Sequence, residues 1–397
     1  MSKAKLRLAA LATHPVQYFA PVFRALAAQS DLELKVFFGC PHGLAGEIDP
    51  FFKTPVAWDS APVAGFAHAF VSGEPLTALT GRCGAALGLR AARQIADFKP
   101  DGVLIFSYSP AFITAATCFL AARGRRLFLR AETTDVDHDR TGAKNALRDF
   151  LLRGYYRLFE HVFPIGTHSR EHYLRLGVSP SRMTTARYAV DFDFFQGQTA
   201  IWNPRREALR AEAGIAPGDK ALLFCGKLHK PKDPLLIARA LALLSPETAG
   251  RTWLYVVGDG DLRDALTAES RAVLGERAVF VGFKNQTELG RYYALCDALV
   301  LPSQTGETWG LVVNEALEFG LYVLASSRVG CAPDLIVDGQ TGFVFPAGDE
   351  RALAEAIEKL PALAAMVCLQ APLPRPGDLA RAVSLALGGA SRTGAAE

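Results

Sequence analysis

The segments DALVLPS (residues 297–303) and TGETWGLVVNE (residues 305–315) predict a buried strand, a polar loop and a helix, in that order. If the helix begins near Trp309 or Gly310, its free amides and positive dipole end face the same way as Glu307, which suits a diphosphate. Glu315 then lies roughly 8 to 9 Å farther along the axis, at about 1.5 Å per residue. One carboxylate on each side of a bound phosphate matches the order sugar, diphosphate and ribose.

The same alternation of strands and helices extends in both directions along the chain. At 397 residues, two domains are the simplest expectation, and alternating elements favour parallel sheets covered on both faces. The predicted strands are Leu6–Ala12, Leu34–Phe38, Val103–Phe106, Leu127–Leu129, Val162–Ile165, Ala221–Cys225, Trp253–Val257, Val279–Val281, Ala298–Leu301 and Tyr322–Ala325. The predicted domains are residues 1–195, residues 196–373 and a C-terminal helix or flexible tail at 374–397, with nothing catalytic in the tail.

Composition and charge narrow the class of protein. Half of the residues are apolar and 21% are charged, as in soluble α/β enzymes. The seven cysteines form no C-x-x-C pair, which indicates a reducing compartment and no zinc site. Residues 1–195 carry 23 Lys and Arg against 17 Asp and Glu, a net +6, whereas the remainder carries −3. This division favours an acidic acceptor or an anionic membrane surface on the first half, or only a solvated face; no nucleic-acid partner is expected.

One uncharged stretch of 21 residues, 102–122, is long enough to suggest a membrane span. Val103–Phe106 has the composition of a buried strand, and Ser109-Pro110 is typical of a helix start, so we expect two shorter elements. The N-terminal apolar run is too short for a signal peptide. These patterns predict a cytoplasmic protein without a transmembrane segment.

Three further loops follow predicted strands in the second half. Gly226 permits close backbone approach, and Lys227 and Lys232 can reach an anion at the mouth of the sheet, unless the segment is only a solvated basic loop. Gly258 lies in a glycine turn that is a weak dinucleotide fingerprint, because Arg263 stands at the third glycine position. Phe283 is either a core or rim residue or a wall of a base pocket.

Candidate acceptor residues lie in the first half. His14, Gln17 and Tyr18 directly follow the first strand, and Glu132 and His138 follow a later one. His14, Glu132 or His138 can take a hydroxyl proton if a substrate comes within hydrogen-bond reach, although a lone histidine is usually structural. The segment 135–139 imitates a D-x-D metal motif, but it more plausibly lines an acceptor cleft, so no metal ligand is assigned. Residues 144–159 are either an interfacial amphipathic helix or a packed surface helix.

Taken in order, these motifs resemble those of family four retaining glycosyltransferases (glycosyl transferases group 1). The landmarks are Gly226-Lys227-Leu228 with Lys232, Val257–Gly260, Val281–Phe283, and Glu307 to Glu315 with Gly320. In the first half they are Leu129–Thr133, Ile165-Gly166 with Ser169–Glu171, and Tyr188–Asp191 with Phe194-Phe195. The resemblance covers residues 6 to 360 and implies the GT-B fold, two Rossmann-like doubly wound domains facing each other across a cleft.

The resemblance also implies roles for particular residues. Lys227 and Lys232 would hold the donor diphosphate, Glu315 the ribose hydroxyls and Glu307 the transferred sugar, and the amides of Thr308, Trp309, Gly310 and Leu311 would complete the cradle. Lysine stands at 227 where arginine is usual, which loses the bidentate fork, and Asp233 replaces a common glycine. The C-terminal end is short for a family whose last helix usually crosses back to the first domain.

The implied reaction transfers a sugar from a UDP- or GDP-sugar to a glycan or lipid-linked acceptor, with retention of configuration and without a metal. Preorganised lysines and amides would stabilise the charge that develops on the leaving diphosphate. Synthesis of a surface polysaccharide or glycoconjugate is the expected setting, at the inner face of a membrane. The alternatives are a nucleotide-sugar epimerase or hydrolase of the same fold and a noncatalytic nucleotide-sugar-binding subunit.

Overall fold

The computed structural model describes residues 4–44, 62–136, 142–360 and 373–389, and these form two compact units. Described residues up to Tyr188, together with those from Pro374 onward, form the first unit, and the segment from Ala189 to Leu360 makes up most of the second. The predicted division after residue 195 lies close to this change of unit and stays a prediction.

The first unit is built on a six-stranded parallel sheet in the order β3-β2-β1-β4-β5-β6. Its strands are β1 (Leu6–Ala12), β2 (Leu32–Phe38), β3 (Ala67–Phe70), β4 (Gly102–Phe106), β5 (Leu127–Arg130) and β6 (His161–Val162). Its helices are α1 (Ala20–Ala27), α2 (Gly81–Phe98), α3 (Ala111–Ala122), α4 (Ala143–Tyr156) and α5 (Thr167–Arg175). The central strands β1, β4 and β5 are largely buried and near-continuously apolar, as expected when helices cover both faces of a parallel sheet.

The second unit repeats this plan, with the strand order β12-β11-β10-β7-β8-β9. Its strands are β7 (Lys220–Cys225), β8 (Thr252–Val257), β9 (Ala278–Gly282), β10 (Ala298–Leu301), β11 (Tyr322–Ser326) and β12 (Gly342–Phe345). Its helices are α6 (Phe192–Trp202), α7 (Arg206–Glu212), α8 (Leu235–Leu241), α9 (Pro246–Gly250), α10 (Arg263–Leu274), α11 (Gln286–Leu295), α12 (Leu311–Glu318), α13 (Ala332–Leu335) and α14 (Glu350–Glu358). Two Rossmann-like sheets confirm the predicted fold class.

In each sheet the strand order reverses between two neighbouring central strands. These are β1 and β4 in the first unit, and β7 and β10 in the second. Ligands of open α/β sheets bind beyond the carboxyl ends of the strands at such a reversal. The loops after Cys225 and Leu301 therefore emerge side by side at the favoured position of the second sheet.

The C-terminal segment forms a helix, α15 (Pro376–Gly389), that belongs to the first unit. Leu379, Val383 and Leu387 are at most 3% exposed and join the core beside α1. Burying each such side chain is worth about 1.5–3 kcal/mol. The last described helix thus packs against the first sheet.

The uncharged stretch 102–122 contains β4 and α3, so the prediction of two shorter elements is confirmed. Pro110, rather than Ser109, occupies the cap position before α3. Within the described residues, no helix combines the length and apolar character that a membrane crossing requires.

Candidate active site

Lys232 and Glu307 meet where the loops after β7 and β10 lie side by side. The Lys232 ammonium forms an ion pair with Oε2 of Glu307, and Ser303 donates a hydrogen bond to the same oxygen at 2.9 Å. Glu307 is only 9% exposed and Ser303 is fully buried. Both contacts fall on Oε2, and no described residue bonds Oε1. The carboxylate is therefore held from one side and keeps one oxygen for a ligand.

Backbone hydrogen bonds hold these two loops together. The amide of Gln304 donates to the carbonyl of Pro231 at 2.8 Å, in the short turn that carries Lys232. His229, in the same turn, has its pKa lowered by burial first and then by the charges of Lys232 and Lys227. The two lysines therefore carry the positive charge of this turn, which is the electrostatic environment that a diphosphate requires.

The start of α12 supplies unpaired amides next to this charge. Gly310 caps the helix with φ 96°, a left-handed conformation that favours glycine. The amides of Thr308, Trp309, Gly310 and Leu311 donate to no carbonyl within the described ranges. Instead, the carbonyls of Glu307 and Trp309 accept hydrogen bonds from the amides of Gly330 and Cys331. These bonds hold the loop in place and leave its own amides available to a ligand. A helix start with unbonded amides binds anions.

The glycines of the β7 and β8 loops allow a close backbone contact. A Cβ atom on Gly258 would lie 1.9 Å from the carbonyl oxygen of Gly226, and one on Gly260 would lie 2.4 Å from that of Leu228. The amides of Gly226 and Leu228 donate to the carbonyls of Val257 and Asp259, both at 2.9 Å. Close packing therefore explains why Gly258 must be glycine, and its predicted contact with the donor stays a prediction.

Asp233 occupies a backbone conformation that explains the glycine usual at this position. Its φ is 40°, in the left-handed region that aspartate tolerates better than most residues. Its carboxylate accepts from Gln304 Nε2 at 3.1 Å and from Arg239 at 3.3 Å. The negative charge is thus compensated locally by Arg239.

Glu315 is buried in the second turn of α12. It is 1% exposed, and its Oε2 accepts a hydrogen bond from the hydroxyl of Tyr293 at 2.7 Å. The Tyr293 ring is fully buried and stacks on Phe319, with the ring centroids 5.3 Å apart. The carboxylate is therefore held rigidly by α11, and its predicted contact with ribose hydroxyls stays a prediction.

Replacing Glu315 with Gln is expected to raise the KM for the donor by about tenfold, because hydrogen bonds to a charged group are worth about 1.5–3 kcal/mol. The turnover number should change much less, because the ribose is remote from the transferred bond. Steady-state kinetics with varied donor would measure both. The Tyr293→Phe variant keeps the charge and should give a smaller rise, whereas an unchanged KM in Glu315→Gln would remove the ribose role.

Trp309 and Phe283 differ in how much of the ring is available to a ligand. The Trp309 indole is 3% exposed and donates to Asn314 Oδ1 at 2.8 Å, so only its backbone can serve the cradle. Phe283 follows β9 directly and is half-buried. A partly exposed ring at a strand end is compatible with the predicted wall of a base pocket.

His14 follows β1 at the reversal point of the first sheet. Its Nδ1 lies 2.9 Å from Oγ1 of Thr13, and its ring contacts that of His42 with the centroids 5.3 Å apart. Burial, and secondly the charge of His42, lowers the pKa of His14 to about 4. The ring is therefore neutral at pH 7 and able to accept a proton.

The lowered pKa of His14 predicts a loss of stability in acid. The unfolded chain binds a proton near pH 6.5 and the folded chain only near pH 4, so the stabilising effect is full above pH 6.5 and is lost towards pH 4. The loss is at most about 3 kcal/mol at 1.36 kcal/mol per pKa unit, before solvent screening reduces it. Urea unfolding of wild type and His14→Gln at pH 7 and pH 4.5 would measure it. Equal pH dependence in both proteins would contradict the assignment.

Gln17 and Tyr18 lie in the turn after His14. Gln17 is 8% exposed, and its buried Oε1 has no hydrogen-bond partner within the described ranges. An unsatisfied buried oxygen is costly, and a hydrogen-bond donor from a ligand or a water would remove that cost. Tyr18 is half-buried beside it. The predicted acceptor role of both residues stays a prediction.

Glu132 belongs to a charged cluster beside β5. It accepts a hydrogen bond from the Tyr188 hydroxyl at 2.7 Å, and the buried Arg130 guanidinium lies 5.4 Å from the Tyr188 ring centroid. Although the Glu132 residue is exposed, desolvation of its carboxyl group by the surrounding protein raises its pKa. The Tyr188 hydrogen bond and the charge of Arg130 oppose this rise. These contacts join the segments around residues 130 and 188.

The D-x-D segment is only partly described. Asp135 accepts from His172 Nδ1 at 2.9 Å and from Arg175 Nε at 2.7 Å. His138, with its neighbours 137 and 139, lies outside the described residues. Asp135 is thus engaged with two side chains of α5.

Ser107 is a candidate that sequence reasoning missed. It follows β4, the neighbour of β1 at the reversal of the first sheet, and has φ 104° although it is not glycine. Its hydroxyl donates to the carbonyl of Ser109 at 2.8 Å. Such strain concentrates at functional sites, but no sequence pattern reveals it.

Comparison with solved structures gives the class of fold. HepE of Anabaena, solved with UDP and glucose, matches with a TM-score of 0.67 and 16% identity, covering 97% of this chain and all of that one. This match, with the two sheets described above, identifies the GT-B fold.

Sequence comparison matches part of the chain to a family model. Residues 205–363, which begin in the second unit's first helices, match the model "Glycosyl transferases group 1", the family that the site motifs resemble.

Curated relatives agree over the same part of the chain. D-inositol 3-phosphate glycosyltransferase 2 of Catenulispora acidiphila is 31% identical over 46% of this chain and 43% of its own length. Sulfoquinovosyl transferase SQD2 of Arabidopsis thaliana is 40% identical over 37% of this chain and 28% of its own. The chain thus matches less than half the length of these curated relatives.

Proposed function

We propose that this protein is a retaining glycosyltransferase that moves a sugar from a nucleoside diphosphate sugar, with UDP or GDP as the nucleotide, to a glycan or lipid-linked acceptor. The observation that carries the proposal is the Lys232–Glu307 ion pair beside the unbonded amides at the start of α12. Cation, carboxylate and helix start lie at the reversal point of a sheet, in a segment that matches the group 1 family model.

In this proposal, the lysines and the backbone amides bind the donor diphosphate. Lys232 and Lys227 with the amides of Thr308 to Leu311 hold the phosphate oxygens, and Glu315 binds the ribose. When the glycosidic bond breaks, negative charge grows on the diphosphate, and the fixed lysine and amides stabilise it without reorganisation. Glu307 holds the sugar through the oxygen that Lys232 and Ser303 leave open.

The acceptor is assigned to the first unit, at the loops that carry His14, Gln17, Tyr18 and Glu132. A neutral His14 or the Glu132 carboxylate takes the proton of the attacking hydroxyl. The donor chemistry needs no metal ion in this proposal, because lysines and amides carry the charge. The setting is synthesis of a surface polysaccharide or glycoconjugate at the cytoplasmic face of a membrane.

Turnover of a panel of UDP-, GDP- and ADP-sugars tests the proposal. Each sugar nucleotide is incubated with and without glycan or lipid acceptors, in EDTA and in its absence. Acceptor-dependent release of one nucleoside diphosphate, unaffected by EDTA, is the expected result. Epimerisation without an acceptor would identify the rival enzyme class, binding without turnover would identify a noncatalytic subunit, and loss of activity in EDTA would require a metal.

A further inference from the structure

The outer face of α4 exposes three large apolar side chains. Leu147, Phe150 and Leu151 are 61%, 71% and 61% exposed, whereas Leu152 and Tyr156 on the opposite face are buried in the first core. Residues three and four apart share one face of a helix, so the three side chains form one apolar patch. A clustered patch of this kind marks an interaction surface more often than scattered apolar residues do.

The helix that carries the patch is held firmly. The Tyr155 hydroxyl donates to Thr117 Oγ1 of α3 at 3.1 Å, and the Tyr156 hydroxyl lies 3.0 Å from Nε2 of the buried His172. Because these contacts fix the rotation of α4, the apolar patch cannot turn inward without breaking them. Exposure is thus a property of the folded unit.

Basic residues border the patch. Lys144, Arg153 and Arg157 are exposed, and none of them forms an ion pair with a described carboxylate. Arg153 and Arg157 line a hollow of about 290 Å³ together with Arg175 and Arg182. Arg175 is compensated by Asp135 and Asp149, while Arg182 donates to backbone carbonyls. The hollow therefore keeps an excess of positive charge next to the apolar patch.

We propose that α4 docks the protein on an anionic lipid bilayer, with Leu147, Phe150 and Leu151 among the acyl chains and Arg153 and Arg157 on lipid phosphates. Apolar side chains flanked by Lys and Arg fit an interface in which hydrocarbon meets negative headgroups. A second copy of the chain fits less well, because a two-fold contact through α4 brings the basic borders of both copies together. This inference rests on the proposed function in one respect, namely that the acceptor is found at a membrane.

Co-sedimentation of the full chain with vesicles tests docking without donor or acceptor, so its outcome is separate from that of the turnover assay. Wild type should bind vesicles of equal phosphatidylglycerol and phosphatidylcholine at least tenfold more tightly than vesicles of phosphatidylcholine alone. Phe150→Ser should weaken binding to the anionic vesicles about tenfold. Leu385→Ser is the matched control, because Leu385 is 76% exposed in the same unit but on α15.

The contribution of the basic border is tested by the double variant Arg153→Glu and Arg157→Glu. Its control is the double variant Arg90→Glu and Arg93→Glu on α2. These two arginines are also exposed, and the two double variants change the net charge by the same amount. We expect at least a tenfold loss for the α4 pair and less than a threefold loss for the α2 pair, with unchanged circular dichroism in both. Equal effects of the two pairs, equal binding to neutral vesicles, or a Phe150-dependent dimer in light scattering would overturn the proposal.

Discussion

Replacing Lys232 with Ala is expected to lower kcat/KM for the sugar nucleotide by about 10²–10³-fold, the usual effect of removing one group that stabilises developing negative charge. The Lys232 ammonium forms an ion pair with Glu307, and 23% of the lysine side chain is exposed. Because the group is part-buried, solvent screens its interaction with a phosphate only weakly. Removing it also leaves the buried carboxylate without its counter-ion. Steady-state kinetics, with free nucleotide affinity measured separately, would quantify the loss.

Lys230→Ala is the matched control for this variant. Lys230 lies in the same short turn, two residues before Lys232, and is exposed. Its loss changes the net charge equally but removes no contact with Glu307, so kcat/KM should fall less than threefold. Equal losses in both variants would mean that only the general charge of the loop matters and would contradict the assignment to Lys232.

Replacing Glu307 with Gln is expected to lower kcat by about 100-fold or more, comparable to losing one well-placed polar group of an active site. The amide keeps the shape of the side chain but removes the negative charge opposite Lys232. It also removes one oxygen that can accept a hydrogen bond from Ser303 or from a sugar hydroxyl. Affinity for the free nucleoside diphosphate should stay the same or increase, because Lys232 is released for the phosphates. The contrast between kcat and nucleotide Kd separates a sugar role from a phosphate role.

Glu269→Gln controls for the loss of one negative charge from the second unit. Glu269 is exposed on α10, so the Glu269→Gln variant should change neither kcat nor the Kd for the nucleotide. A Glu307→Gln variant with normal kcat, or one that loses nucleotide affinity and turnover together, would show that the sugar assignment is wrong.

Much of the fold follows from local patterns. β1 and β10 begin and end where the apolar runs do, and the Gly-rich turns mark the ends of β7 and β8. The sequence patterns do not predict β3 and β12, because each strand has only four residues. No residue of β3 is buried, and of the two middle residues of β12 one is half-buried and the other exposed. The sequence predicts only a helix or flexible tail at 374–397, because the glycines, prolines and alanines there obscure the spacing of Leu379, Val383 and Leu387.

The sequence singles out candidate site residues but does not predict the contacts that hold them. Strand-end position and residue type single out Lys232, Glu307 and Glu315, because parallel strands deliver such loops to one edge. Their partners come from elsewhere in the chain: Ser303 and Tyr293 bind the two carboxylates, and Arg239 with Gln304 compensates Asp233. These pairings depend on three-dimensional packing, which single-sequence patterns do not encode.

Calorimetric titration of UDP, GDP and ADP into wild type and Lys232→Ala tests the central claim most directly, namely that the loops after β7 and β10 bind the diphosphate of a sugar donor. We predict that at least one nucleotide binds wild type and that its Kd rises about tenfold or more in the variant, as expected for a charged hydrogen bond. Failure of all three nucleotides to bind wild type, or an unchanged Kd in Lys232→Ala, would contradict the account.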